Sequence, residues 1–183
     1  MPNYCDYEMK VKGKKENVEE FVRVIKTDYE YDDAGNCKCE AGRHLWRVFE
    51  ADSDIVDIED GMAVANIWGY CAWSVFSCMF DGDGTYQHDR PDSCGTTLQI
   101  ESANLGLEIE VYSKEPGMGF MEHYYIDNGE ITVDECVDYA EYCISDYETK
   151  EEAEEELGII ISDYEWEHED YVGRGGMEWE FSI

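Results

Sequence analysis

Residues 4–25 read YCDYEMKVKGKKENVEEFVRVI, and the reading of the fold turns on them. In the first nine, Cys5, Tyr7, Met9 and Val11 alternate with Asp6, Glu8 and Lys10. Side chains on a strand alternate between faces, so this period of two predicts a half-buried strand. Gly13 ends it. The period then changes. In KENVEEFVRVIKTDYEY (residues 15–31) Val18, Phe21, Val22 and Ile25 stand at i, i+3, i+4 and i+7, the spacing of an amphipathic helix.

Working outward, residues 32–43 (DDAGNCKCEAGR) read as a loop, and HLWRVFE (44–50) and MAVANIWGY (62–70) as strands rich in aromatic and β-branched residues. AWSVFSCMF (72–80) can start a short helix, and DGDGTYQHDRPDSCG (81–95) is a loop. TTLQIESANLG (96–106) reads as a helix stopped at Gly106. LEIEVYS (107–113) alternates, with Leu107, Ile109 and Val111 expected inward and Glu108 and Glu110 outward. FMEHYYID, Asn128-Gly129 and EITVDEC form a hairpin with a type I′ turn signature. TKEEAEEEL (149–157) reads as a helix capped by Thr149, with Gly158 past its end, and MEWEFSI (177–183) as a last strand. The order β-α-β-β-α-β predicts a ferredoxin-like α+β core over residues 1–128, an antiparallel sheet with helices on one face. Residues 129–183 are expected to be an acidic C-terminal helix and loop extension packed on that core.

MPNYCDYEMKVKG followed by KENVEEFVRVI resembles the opening of the YubB-type ferredoxin-like domain family of phages and plasmids. In that family a Met-Pro-Asn-aromatic-Cys start leads into a strand, a glycine turn and a helix. YCAWS (70–74) and YSKEPGMGF (112–120) are similar to two further segments of the family. The likeness covers roughly residues 1–128. It implies the fold and a mobile-element origin, and supplies no activity and no catalytic residues.

The net charge is −32, from 45 acids against 13 bases. Such a surface repels phosphate and anionic lipid, which argues against direct binding to nucleic acid or membrane and favours cationic partners. The charge is uneven. Residues 1–26 hold six bases and five acids, whereas residues 127–170 hold 18 acids and one base, Lys150. Halophilic adaptation would spread acids uniformly. The N-terminus has no apolar signal segment, so the eight cysteines are expected to be reduced thiols in a bacterial cytoplasm.

Three motifs offer chemistry. Cys37-Lys38-Cys39 with His44 looks like half of a zinc site, but zinc favours two close ligand pairs. Cys71/Cys78 and Cys136/Cys143 are each seven apart, a spacing that suits packing, so no structural metal is expected. Asp81, Asp83 and Thr85 begin like a calcium loop, yet Tyr86 and Asp92 stand where glycine and glutamate are needed. No nucleophile or nucleotide motif is present, and the four histidines lie in different segments, so a non-enzymatic protein is expected with no cofactor.

The acidic stretch carries the functional expectation. Glutamates at 151, 152, 154, 155 and 156 repel one another at helical spacing, and tyrosine and tryptophan among them are common interface anchors. The expected partner-binding surface is Asp146, Glu148, Glu151, Glu152, Glu155, Asp163, Tyr164, Glu165, Trp166, Glu167 and Asp170. Together with the mobile-element resemblance, this suggests an anti-CRISPR-type inhibitor, a DNA mimic occupying the groove of a basic nucleic-acid-handling host protein. Cas9, whose channels hold a heteroduplex, is the leading target. The alternative is an accessory interaction module that docks through its sheet, around Trp68, Tyr70, Trp73 and Phe76, with acids kept only for solubility.

Overall fold

The computed structural model describes residues 3–34, 36–80 and 94–183. The first half runs β1 (Tyr4–Lys14), α1 (Lys15–Ile25), β2 (Tyr29–Tyr31), β3 (Cys37–Cys39), β4 (His44–Leu45), β5 (Val48–Asp57), β6 (Met62–Ala72) and α2 (Val75–Met79). The second runs β7 (Gly95–Thr96), α3 (Leu98–Leu105), β8 (Glu108–Glu115), β9 (Phe120–Asp127), β10 (Glu130–Cys143), α4 (Lys150–Leu157), α5 (Asp163–His168) and β11 (Tyr171–Gly175).

The expected ferredoxin-like sheet with helices on one face is not what forms. The molecule is built on one seven-stranded antiparallel sheet, in the order β11-β10-β9-β8-β1-β6-β5, curled into a half-barrel. Two segments enlarge it. Residues 51–57, polar enough to pass for a loop, continue β5 along β6 as far as Asp57 opposite Ala63. At the other end β10 runs for 14 residues, pairing first with β9 and then with β11. Each added strand adds right-handed twist, and over seven strands the twist accumulates into curl.

β1 lies inside the sheet, with β8 on one side and β6 on the other. Met9 sits opposite Ile67 on one side and Val111 on the other, and Val11 opposite Ala65 and Ile109. Its inward residues Cys5, Tyr7, Met9 and Val11 are fully buried with Val18 and Phe21 of α1 and Leu98 of α3. On α1 the buried residues are Val18, Phe21, Val24 and Ile25, whereas Val22 is only half-buried. The helix stops at Ile25, and Tyr29–Tyr31 pairs with Cys37–Cys39, so the end of the expected helix and the middle of the expected loop form a small hairpin instead. Gly69 is required by sheet geometry: at the irregularity between Val48 and Glu50, a Cβ on residue 69 would stand 1.9 Å from the Glu50 carbonyl oxygen.

The opposite face of the sheet is also covered. Residues 177–183, expected as a strand, cross it as an irregular strap. The Tyr112 hydroxyl donates to the Glu180 carbonyl (3.0 Å), Lys10 Nζ to the Ile183 carbonyl (3.2 Å), and Phe181 meets Tyr112 edge-on. The strap buries Glu110, which was expected outward: its carboxylate accepts from Ser182 N, Ser182 Oγ and Ile183 N. Burial pushes that carboxyl up, but these donors and His123 outweigh it and leave it below the usual range.

Candidate functional site

The expected partner surface is brought together as a separate lobe between β10 and β11. Its own small core is Ile144, Ala153, Ile161 and Val172, flanked by Tyr147, Leu157, Ile159 and Trp166. Local rules build it. The Thr149 hydroxyl accepts from Glu152 N at the start of α4, and Gly158 closes that helix in the left-handed conformation. Ser162 and Glu165 cap α5 reciprocally.

The expected residues then divide. Asp146, Glu148, Glu151, Glu152, Glu155, Glu167 and Asp170 are exposed, and among the described residues none makes an ion pair. Tyr164 is 66% exposed, and Ile160, four residues earlier in the chain, 85%. Three others are committed to the lobe itself. Asp163 pairs with Lys150 at 2.7 Å. Glu165 receives Ser162 N and Arg174, which hold its carboxyl at about 2. Trp166 packs on the lobe core. The exposed aromatic ring of α5 is therefore Tyr164, stacked edge-on against His168. Ile160, absent from the sequence reading, carries no signal beyond its place beside a helix end.

A second feature is a groove of about 590 Å³ on the strap-covered face of the sheet, lined by Asp6, Glu50, Trp68, Lys114, Tyr139 and Trp179 among others. The strap forms one wall. Trp68 is 46% exposed there, and the buried Trp179 indole N–H has no hydrogen-bond partner among the described residues. Tyr70 borders the same groove, whereas Trp73 packs near Trp46 and Phe76 near Tyr124. The surface of the alternative reading is thus split.

A third is a cysteine–histidine cluster. Cys37, His44 and Cys94 bring their ligand atoms within 4.8 Å of one another. Cys39 stands two residues from Cys37 on β3, and burial together with the neighbouring Cys94 pushes its thiol up. The calcium-loop residues Asp81, Asp83, Thr85, Tyr86 and Asp92 lie outside the described residues.

Compared with protein-family models, with curated proteins and with solved structures, the chain matches none of them. Among the described residues no helix is long and apolar enough to cross a membrane.

Proposed function

We propose that this protein is a non-enzymatic binding protein of the bacterial cytoplasm whose acidic lobe docks in the basic groove of a nucleic-acid-handling partner and blocks it. The observation that carries this reading is the lobe's exposed acids, which make no ion pair among the described residues, in the same stretch of chain as the exposed Tyr164 and Ile160. A solubilising face needs charge but gains nothing from a large ring and an aliphatic side chain held in water. An interface uses both, the rings as anchors and the acids for steering. The resemblance of the first residues to a phage and plasmid family adds to the reading, and makes a host defence nuclease of the Cas9 type the first partner to try.

The test is inhibition of DNA binding by Cas9, followed at low and moderate salt. Charge reversal of Glu151, Glu152 and Glu155 to lysine is expected to slow association most at low salt, where the field is least screened. Tyr164→Ala is expected to act on the off-rate. Equal inhibition by the parent and the triple reversal at both salts would count against the lobe.

The groove supports a second reading, an accessory module that holds an apolar partner segment with a hydrogen-bond acceptor for the Trp179 indole. Binding by that route is insensitive to salt and lost in Trp68→Ala.

A further inference from the structure

We propose that Cys37, Cys39, His44 and Cys94 form a structural zinc site. From sequence, Cys37, Cys39 and His44 look like half of a zinc site that lacks a second ligand pair. The fold supplies the missing ligand, Cys94, from a distant part of the chain.

Cys37 and Cys39 are two apart on β3, so both thiols project from the same face of the strand. The β2–β3 hairpin fixes that strand, with Tyr29 opposite Cys39 and Tyr31 opposite Cys37. The other two ligands come from a short parallel pairing of β4 with β7, His44 opposite Gly95. The His44 amide donates to the Cys94 carbonyl at 3.0 Å, which locks the two residues side by side. His44 is 1% exposed and stacks on Tyr29, with ring centres 3.6 Å apart. Its Nδ1 lies 2.9 Å from the Leu45 carbonyl. A carbonyl only accepts, so Nδ1 carries the proton and Nε2 the lone pair. Metal-binding histidines are oriented in this way by a hydrogen bond from the other ring nitrogen.

The frame around the cluster is fixed independently of any metal. Arg43 forks onto the fully buried Glu101 at 2.7 and 2.9 Å, and the Thr96 hydroxyl donates to the same carboxylate. Those bonds tie the residue before His44 to the strand that follows Cys94. Arg23 donates to the Glu40 and Ala41 carbonyls and so pins the turn after Cys39 to α1.

The donor set selects the ion. Three soft thiolates and one imidazole suit zinc, which takes Cys₃His sets in tetrahedral geometry. Zn–S bonds of about 2.3 Å place tetrahedral sulfurs about 3.8 Å apart. Cys37, His44 and Cys94 already lie within 4.8 Å of one another, and rotation of Cys39, two residues from Cys37 on the same strand face, would bring in the fourth ligand. Three thiolates around one dication leave a net charge of −1. In this strongly acidic chain, Arg23, Lys26 and Lys38 all line the cavity beside the cluster, with Asp28, Glu30 and Glu40 also present. Four protein ligands leave no open coordination position, so the role is that of a staple joining the hairpin to the β4–β7 pairing, not of a catalyst.

The full chain is to be purified with reductant and without chelator, and its zinc measured by elemental analysis. One zinc per chain is expected. Replacing zinc by Co²⁺ alone should give tetrahedral d–d bands and a sulfur-to-cobalt charge-transfer band with the intensity of three thiolates. That spectrum needs no variant and stands even where substitutions impair folding. Cys37→Ser, Cys39→Ser, Cys94→Ser and His44→Asn should each weaken zinc binding by more than the ~10–100-fold that follows loss of a supporting hydrogen bond. Cys136→Ser, on the exposed part of β10, should bind zinc as the parent does. Zinc well below one per chain with no cobalt charge-transfer band would overturn the site. So would full zinc affinity in Cys94→Ser, or a disulfide among Cys37, Cys39 and Cys94 in protein kept under reductant.

Discussion

The curled sheet and the acidic lobe are two parts of one chain held by opposite means. The sheet has a continuous apolar interior in which Tyr7, Phe21, Met9 and Ile67 are fully buried. Its polar groups are mostly satisfied along the strand ladders. The lobe has four buried side chains, Ile144, Ala153, Ile161 and Val172. Around them it depends on caps, on Lys150–Asp163 and on Arg174–Glu165. The first kind of order comes from area removed from water and resists single surface changes. The second is assembled from contributions of about 1 kcal/mol each, so small changes matter locally. A region specialised for charge gives up the interior that would otherwise stabilise it.

The sharpest way to test that contrast is to cut each core once. Phe21→Ala is expected to destabilise the whole molecule by about 3–5 kcal/mol, seen as a single lower thermal midpoint; an unchanged melt would remove α1 from the core. Ile161→Ala should cost about 2–3 kcal/mol, toward the low end for such a change because the lobe can partly collapse. Its effect should be confined to faster amide exchange over residues 144–172, with the sheet protected as before. Global loss of protection would mean that the two regions are one cooperative unit. Thr149→Ala removes the α4 cap and should cost about 1 kcal/mol, again read in the lobe alone.

Acid provides a gentler test. The folded lobe binds Glu165 in its ionised form, lowering the carboxyl from 4.5 to about 2. Its contribution is therefore complete above pH 4.5 and is lost as pH falls toward 2. Trp166 fluorescence should report this loss, and Glu165→Gln should shrink the acid limb to the part set by Asp163, which Lys150 also holds low, while leaving a less stable lobe at neutral pH. The smallest effect on the fold is expected from the triple reversal of Glu151, Glu152 and Glu155, which relieves repulsion along α4. Its melt should match or slightly exceed the parent's.

What could be read from the sequence follows the same division. β1 and α1 were legible because each shows one clear period on one face. The Asn128-Gly129 turn was legible because both residues take positive φ, 48° and 86°, which few other pairs tolerate. The fold class was not, because it depended on residues 51–57 and 130–143. The acids at exposed positions of residues 51–57, Asp52 and Asp54, left that segment without a strand signal, and EITVDEC, with Glu130 and Asp134, read as a hairpin strand of an acidic extension outside the core sheet. On an exposed edge such charges guard against pairing with other chains. Glu110 was misplaced for a different reason: the alternation was correct, but nothing local announces that Ser182 and Ile183 return to cover it. In the lobe, the acids were legible as a cluster, while the positions of Trp166 and Tyr164 depended on which side of a six-residue helix meets Ile161. The cysteine cluster was half visible. Its missing ligand, Cys94, rests on the pairing of His44 with Gly95, a contact between residues 51 positions apart.

The interior place of β1 also sets an order of events. Its neighbours are Met62–Ala72 and Glu108–Glu115, so the first strand made is the one whose pairing is completed late. During synthesis Cys5, Tyr7, Met9 and Val11 wait with α1 as their only local cover until distant chain arrives on both sides. Such long-range closure predicts slow folding and a nascent chain whose apolar stripe is briefly open to chaperones or to its own copies.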